Sequence, residues 1–131
     1  MISVLLIDDD PDLLDIIRME LENETDFVLQ TCDSPAEAIE LARTGKFDSI
    51  VCDFTMPEMN GCSLLHLLRS QGCTAHFILY SGMDQDDKIT RDLTNCAAVF
   101  LQREGNPAAE FRELKRLIRT AASKTQKPLL N

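Results

Sequence analysis

The chain has 131 residues, 44% of them hydrophobic and 27% charged, with a formal net charge of −9. That length suits one domain with its own core, and that acidity argues against generic binding to nucleic acid or to an anionic membrane surface. The apolar runs, Val4–Ile7 and Phe77–Tyr80 among them, fall far below the ~20 residues of a membrane-crossing helix.

The first strand is predicted over 2–7, a near-continuous apolar run of the kind buried on both faces of a parallel sheet. Asp8, Asp9 and Asp10 follow it. Asp10 suits the N-cap of a first helix and Pro11 its first turn, with Leu13, Leu14, Ile17 and Leu21 facing inward. The second strand is expected over 27–32. Ser34-Pro-Ala-Glu37 is a capping box that opens the second helix, and Gly45 marks its end. The third strand, 48–52, runs into Asp53. A third helix begins near Asn60-Gly61 and buries Leu64, Leu65 and Leu68. The fourth strand, 76–80, leads to Ser81-Gly82. A fourth helix is expected over 84–94, with Ile89 and Leu93 as its few apolar anchors. The fifth strand, 97–101, leads to Gln102 and Arg103. A fifth helix from Pro107 to Ser123 carries Phe111, Leu114, Leu117, Ile118 and Ala121 on one side, and 124–131 reads as a flexible tail.

Five βα units in succession imply an α/β fold. The expected architecture is a single five-stranded parallel sheet in the order 2-1-3-4-5, with five helices over both faces and one domain spanning 1–123. In such sheets the site lies outside the carboxyl ends of the strands, which is where Asp8, Asp9, Asp53, Ser81 and Arg103 stand. Three carboxylates in one cleft repel one another unless a cation joins them, and hard oxygen ligands suit Mg²⁺. A carboxylate at a strand end can act as a nucleophile toward phosphorus, with a hydroxyl and a fixed cation to hold the phosphoryl oxygens.

These residues resemble the receiver domain of two-component response regulators over 2–123. The resemblance rests on apolar-Asp8-Asp9 after the first strand, Asp53-x-x-Met56-Pro57-x-Met59-x-Gly61 after the third, and Ser81-Gly82 after the fourth. It implies that Asp53 is the phosphoacceptor, served by a histidine kinase or phosphotransfer protein. It implies that Asp9 ligates Mg²⁺ directly, that Asp8 holds a metal-bound water, and that Asp53 and the Thr55 backbone carbonyl complete the protein's ligands. Ser81 would be the switching hydroxyl and Phe100 the aromatic whose rotamer reports the switch. The surface of the fourth helix, fifth strand and fifth helix would be the output face. It would address a downstream protein or attached domain, with homodimerisation through the same face as an option. Thr55 and Met83, two residues past Asp53 and Ser81, would tune hydrolysis. Such a protein is not a turnover enzyme, although it assists its own phosphorylation and dephosphorylation.

One position departs from the family pattern. Lys followed by Pro ordinarily ends the fifth strand; here Arg103 stands in the Lys position with Glu104 after it. Arg keeps the charge but is longer and planar. A cis bond at Arg103–Glu104 would cost about 3 kcal/mol without proline. Arg103 is read as a functional substitute; the alternative is a pseudo-receiver that binds partners without phosphorylation.

A haloacid-dehalogenase-type phosphatase, with Asp8 as nucleophile and Asp8-x-Asp10 as its motif, is the enzyme rival. It lacks the later acidic pair of that class. Asp8-x-Asp10-x-Asp12 begins like a calcium loop, but Leu13 and Met19 stand where that loop needs Gly and Glu. An FMN-binding flavodoxin shares the topology but not a cluster of acids after its first strand.

Five cysteines, an odd number with no C-x-x-C pair, and a start without a basic leader segment are taken to indicate a reducing cytoplasm. Residues 111–131 hold six Lys/Arg against one acid. The plain reading is a solvated helix face plus the tail; the sharper one is a docking surface for an acidic partner.

Overall fold

The computed structural model describes residues 1–82 and 98–125. In chain order these form β1 (Ile2–Ile7), α1 (Pro11–Glu22), β2 (Phe27–Cys32), α2 (Pro35–Thr44), β3 (Ser49–Cys52), α3 (Gly61–Ser70), β4 (His76–Ser81), β5 (Val99–Gln102) and α4 (Pro107–Thr125). All strand pairings are parallel, and the sheet order is β2-β1-β3-β4-β5 as expected. The fourth predicted helix, 84–94, lies outside the described residues, as does Met83.

Alternation along the central strands divides the core into two layers. Leu5, Ile7, Ile50, Cys52, Phe77 and Leu79 pack with Ala38 of α2 and with Leu64, Leu65 and Leu68 of α3. On the opposite face Val4, Leu6, Val51, Ile78 and Tyr80 meet Leu14, Ile17 and Leu21 of α1 and Phe111, Leu114 and Ile118 of α4. β3 is buried at all four positions, as its continuous apolar run predicts.

The helix starts follow the predicted chemistry. Asp10 accepts from Asp12 N and Leu13 N, Ser34 accepts from Glu37 N, and Asn60 accepts from Ser63 N; each satisfies amides that would otherwise lack partners. Several boundaries differ from expectation. β4 includes Ser81, and β5 ends at Gln102, because backbone pairing between these strands continues to that register. α4 includes Thr125, so the first two residues of the expected tail are helical. Its buried face uses Ala122 rather than Ala121, and it also buries the charged Glu110. Ala121 is only partly covered, because Phe111, Leu114, Ile118 and Ala122 already span the stripe one helix presents to the sheet.

Candidate functional site

Asp8, Asp53 and Arg103 sit one step past β1, β3 and β5, Ser81 is the last residue of β4, and the sheet still holds these backbones. Asp8 N–H donates to Cys32 O at 3.3 Å, Asp53 N–H to Ile7 O at 3.2 Å, and Arg103 N–H to Ser81 O at 2.9 Å. Each side chain therefore leaves the sheet at a fixed place, without the freedom of a loop.

The segment after Asp53 is anchored from below. Phe54 and Met56 are buried, and Gly61 N–H donates to Phe54 O at 2.7 Å. Gly61 is required here by close approach: a Cβ would lie 2.5 Å from Leu79 Cδ2 and 2.9 Å from Asp53 O. The Met56-Pro57 turn and the start of α3 thus fold tightly against the base of Asp53.

Asp8, Asp9 and Asp53 each offer a carboxylate oxygen, and these oxygens lie within 4.8 Å of one another. Asp8 is 2% exposed, and its Oδ1 accepts from Asp10 N at 2.9 Å. Burial pushes its carboxyl up to about 6; the Asp10 amide pulls the other way, and the neighbouring charge of Asp53 pushes further up. Asp9 is exposed at the rim. Ser81 Oγ donates to Asp53 Oδ1 at 2.7 Å. Arg103 Nη2 lies 3.9 Å from the same oxygen. The five residues expected to converge do converge. Among the described residues, three hard oxygen donors facing a single guanidinium leave an excess of negative charge, which fits a divalent cation of the Mg²⁺ class.

The remaining predicted residues are placed differently. Thr55 is exposed, two residues past Asp53. Phe100 is in register with Leu79, so it faces the α2–α3 side, and it is 36% exposed. The Arg103–Glu104 bond is not cis, nor is any other bond among the described residues.

Two participants were not anticipated. The Arg103 guanidinium carbon stands 5.4 Å from the centroid of the Tyr80 ring. The Tyr80 hydroxyl donates to Glu110 Oε1 at 2.8 Å, and burial together with that bond raises the phenol's pKa, keeping it protonated. The available signal was weak: the chain's one tyrosine directly precedes Ser81, and Glu110 interrupts an apolar helix face.

Three cations of the basic carboxyl-terminal helix pair within the chain. Lys115 bridges Glu20 at 3.1 Å and Glu24 at 3.3 Å. Arg119 holds Asp26 through two hydrogen bonds of 2.9 Å, and also Glu24. Arg116 pairs with Glu113. These three cations bind acids of their own chain, so they add little to a docking surface for an acidic partner. Among the described residues no helix is long and apolar enough to cross a membrane.

Comparison with known proteins agrees with this architecture. TcrX, a probable transcriptional regulatory protein of Mycobacterium tuberculosis, is 33% identical over 89 residues, covering 67% of this chain and 38% of that protein. BarA, a signal transduction histidine-protein kinase of Escherichia coli strain K12, is 39% identical over 72 residues, covering 53% of this chain and 8% of the kinase. The chain thus spans well under half the length of these curated relatives. The receiver domain of the Francisella response regulator 1452 superposes with a TM-score of 0.80 at 26% identity, covering 95% of this chain and 99% of that one. Residues 4–123 match the response regulator receiver domain family, and the chain belongs to that family.

Proposed function

We propose that the chain is a phosphoacceptor switch, phosphorylated on Asp53 by a histidine kinase or a phosphotransfer protein. One observation carries the reading. A single Asp53 oxygen meets the Ser81 hydroxyl at 2.7 Å and the Arg103 guanidinium at 3.9 Å, beside two further carboxylates. A nucleophile, a phosphoryl-oxygen donor and a fixed cation share one opening.

In the reaction an Asp53 carboxylate oxygen attacks phosphorus, and the bond from phosphorus to the donor's imidazole nitrogen breaks. The leaving imidazole takes the electron pair. Ser81 then exchanges its bond to Asp53 for one to a phosphoryl oxygen, and Arg103 sits close enough to offset the new charge. Mg²⁺ held by Asp8, Asp9, Asp53 and the Thr55 carbonyl would supply the positive charge that lets phosphoryl oxygens approach three acids. The Ser81 shift, with Phe100 responding, would alter the face around β5 and α4 that addresses a downstream protein, an attached domain or a second copy. The protein assists its own phosphorylation and its later dephosphorylation by water, and does not turn over a substrate. A cytoplasmic location fits this role.

The haloacid-dehalogenase-type reading places the nucleophile at Asp8. Asp8 is 2% exposed and already hydrogen-bonded to Asp10 N, whereas Asp53 carries both Ser81 and Arg103. The pseudo-receiver reading rests on the missing lysine, yet Arg103 reaches the acceptor.

The test is incubation with acetyl phosphate, with and without Mg²⁺, read by intact mass. The expected result is a Mg²⁺-dependent gain of one phosphoryl group that is lost in Asp53→Ala and kept in a variant of the exposed Asp12. Labelling that persists in Asp53→Ala would overturn the assignment. Absence of labelling in the wild type, under conditions that modify another receiver, would favour the pseudo-receiver.

A further inference from the structure

Arg103 closes the cleft from the end of β5, but the turn that follows, Glu104-Gly105-Asn106, has no proline to stiffen it. Glu110 holds that turn. Its carboxylate is buried in the first turn of α4. Oε2 accepts from Glu104 N at 2.7 Å and from Asn106 N at 3.0 Å, while Oε1 accepts from the Tyr80 hydroxyl at 2.8 Å. Gly105 lies between the two amides with φ at +98°. A side chain there would be strained, and the glycine lets both flanking N–H groups converge on one oxygen.

The same tyrosine supports the cation. The Tyr80 ring lies under the Arg103 guanidinium at 5.4 Å and packs edge to face with Phe111 at 6.1 Å. One carboxylate therefore fixes the backbone that carries Arg103 and also the ring on which its head group rests. Burying a charge beside Phe111 and Leu114 is unfavourable unless its oxygens are filled. Here they are filled by three donors at a helix N-terminus, where negative charge is favoured. An apolar side chain would pack at this position without that desolvation, so packing alone does not account for Glu110.

We propose that Glu110 is a positioning residue for phosphoryl transfer, acting through the Glu104 amide and Tyr80 to hold the Arg103 guanidinium at the Asp53 carboxylate. The inference rests on the reading of Asp53 as phosphoacceptor. It also accounts for arginine at this place: the planar group stacks on a ring, which a lysine ammonium does less well.

Glu110→Leu keeps bulk and removes both acceptors. Glu110→Gln is the gentler variant: its oxygen can still accept from the turn while its NH2 donates to the Tyr80 oxygen, so it loses the charge and keeps much of the bonding. The rate of labelling by acetyl phosphate should fall roughly tenfold in Glu110→Leu and less in Glu110→Gln, since a small displacement of a positioned group is costly in rate. Mg²⁺ affinity by calorimetry should stay within about twofold, because none of the proposed metal ligands moves; it would not if the fold had loosened. On an Arg103→Met background Glu110→Leu should add no further loss. If the two losses multiply, or if Mg²⁺ affinity falls in step with the rate, Glu110 only supports the fold and the proposal fails.

A crystal structure of Glu110→Leu reads the geometry independently. Arg103 displaced from the Tyr80 ring supports the positioning role, and an unmoved guanidinium overturns it. A wild-type chain that takes up no phosphoryl group overturns the reading of Asp53 and the kinetic role with it. The crystallographic arm then still shows whether Glu110 places Arg103, so the two failures are distinguishable.

Discussion

Asp8, Asp9 and Asp53 gather at the carboxyl ends of β1 and β3, and Glu20, Glu24 and Asp26 gather from the last turn of α1 to the start of β2. Among the described residues the first group faces one guanidinium, 3.9 Å from Asp53. The second faces two cations, Lys115 and Arg119, and accepts hydrogen bonds from both. Their acidities diverge accordingly. Burial pushes Asp8 up to about 6, whereas hydrogen bonds from Arg119 hold Glu24 and Asp26 below the ordinary carboxylate range. The same residue types thus act as a clamp where cations match them and as a binding site where they do not. On the function proposed above, the unmatched negative charge would draw in a cation, which would in turn admit a phosphoryl group, and the folded state carries its cost.

The largest effect expected from breaking the contrast is at Asp53. Asp53→Asn should abolish labelling by acetyl phosphate while raising metal-free stability by about 1 kcal/mol, because it removes a charge that disfavours ionised Asp8. Urea unfolding without Mg²⁺ measures the second part. An unchanged or lowered midpoint would show that the cleft is not strained by charge.

The pH dependence of the two clusters should run in opposite directions. Asp8 has a folded pKa raised to about 6. Its contribution is fully present below the unfolded value near 4 and is lost as pH rises through about 6. Asp26 has a depressed folded pKa. Its contribution is present above the unfolded value and is lost as pH falls through the folded one. Metal-free stability should therefore decline between pH 4 and 7 by on the order of 1–3 kcal/mol, and Asp8→Asn should flatten that decline. An equally steep decline in Asp8→Asn would move its origin elsewhere.

Adding Mg²⁺ should reverse the loss at neutral pH. At a tenfold excess over its dissociation constant the gain is about 1.4 kcal/mol, seen as a higher Tm. The gain should shrink in Asp53→Asn and persist in variants of the clamp. Magnesium that stabilises all of these variants alike would be acting as general screening, not as a bound ion.

Much of this contrast was legible in the residues alone, for specific reasons. Asp8, Asp9 and Asp53 were found because each follows an apolar run, and parallel-sheet topology brings the ends of β1 and β3 together. Ser81 and Arg103 followed from the same rule. Tyr80 and Glu110 were not found, because their contact spans 30 residues and no periodicity says which first-turn residue of a helix bends back onto the preceding loop. Ala121 was preferred to Ala122 because one residue of rotation along a long amphipathic helix is decided by its neighbours, not by its own pattern. The clamp was misread for a similar reason. Lys115 and Arg119 look like a solvated basic face until α1 is laid beside them.

The smallest expected effect is at that clamp. Arg119 is about half-exposed, and ion pairs open to solvent contribute little individually. Its guanidinium, however, makes paired hydrogen bonds to Asp26 and lies 4.8 Å from the centroid of the Phe27 ring, so part of its contribution is stacking and does not depend on the acids. Arg119→Ala should lower Tm by a few degrees, while Arg119→Lys keeps the charge and loses the fork and the stack. Raising salt should narrow the gap between wild type and Arg119→Ala only in part, because screening weakens the ion pairs and leaves the stack. Phosphorylation of Asp53 should be unchanged in both variants. A variant that keeps its Tm but loses phosphorylation would mean that the two acidic clusters communicate through α1, and the division between clamp and site would have to be withdrawn.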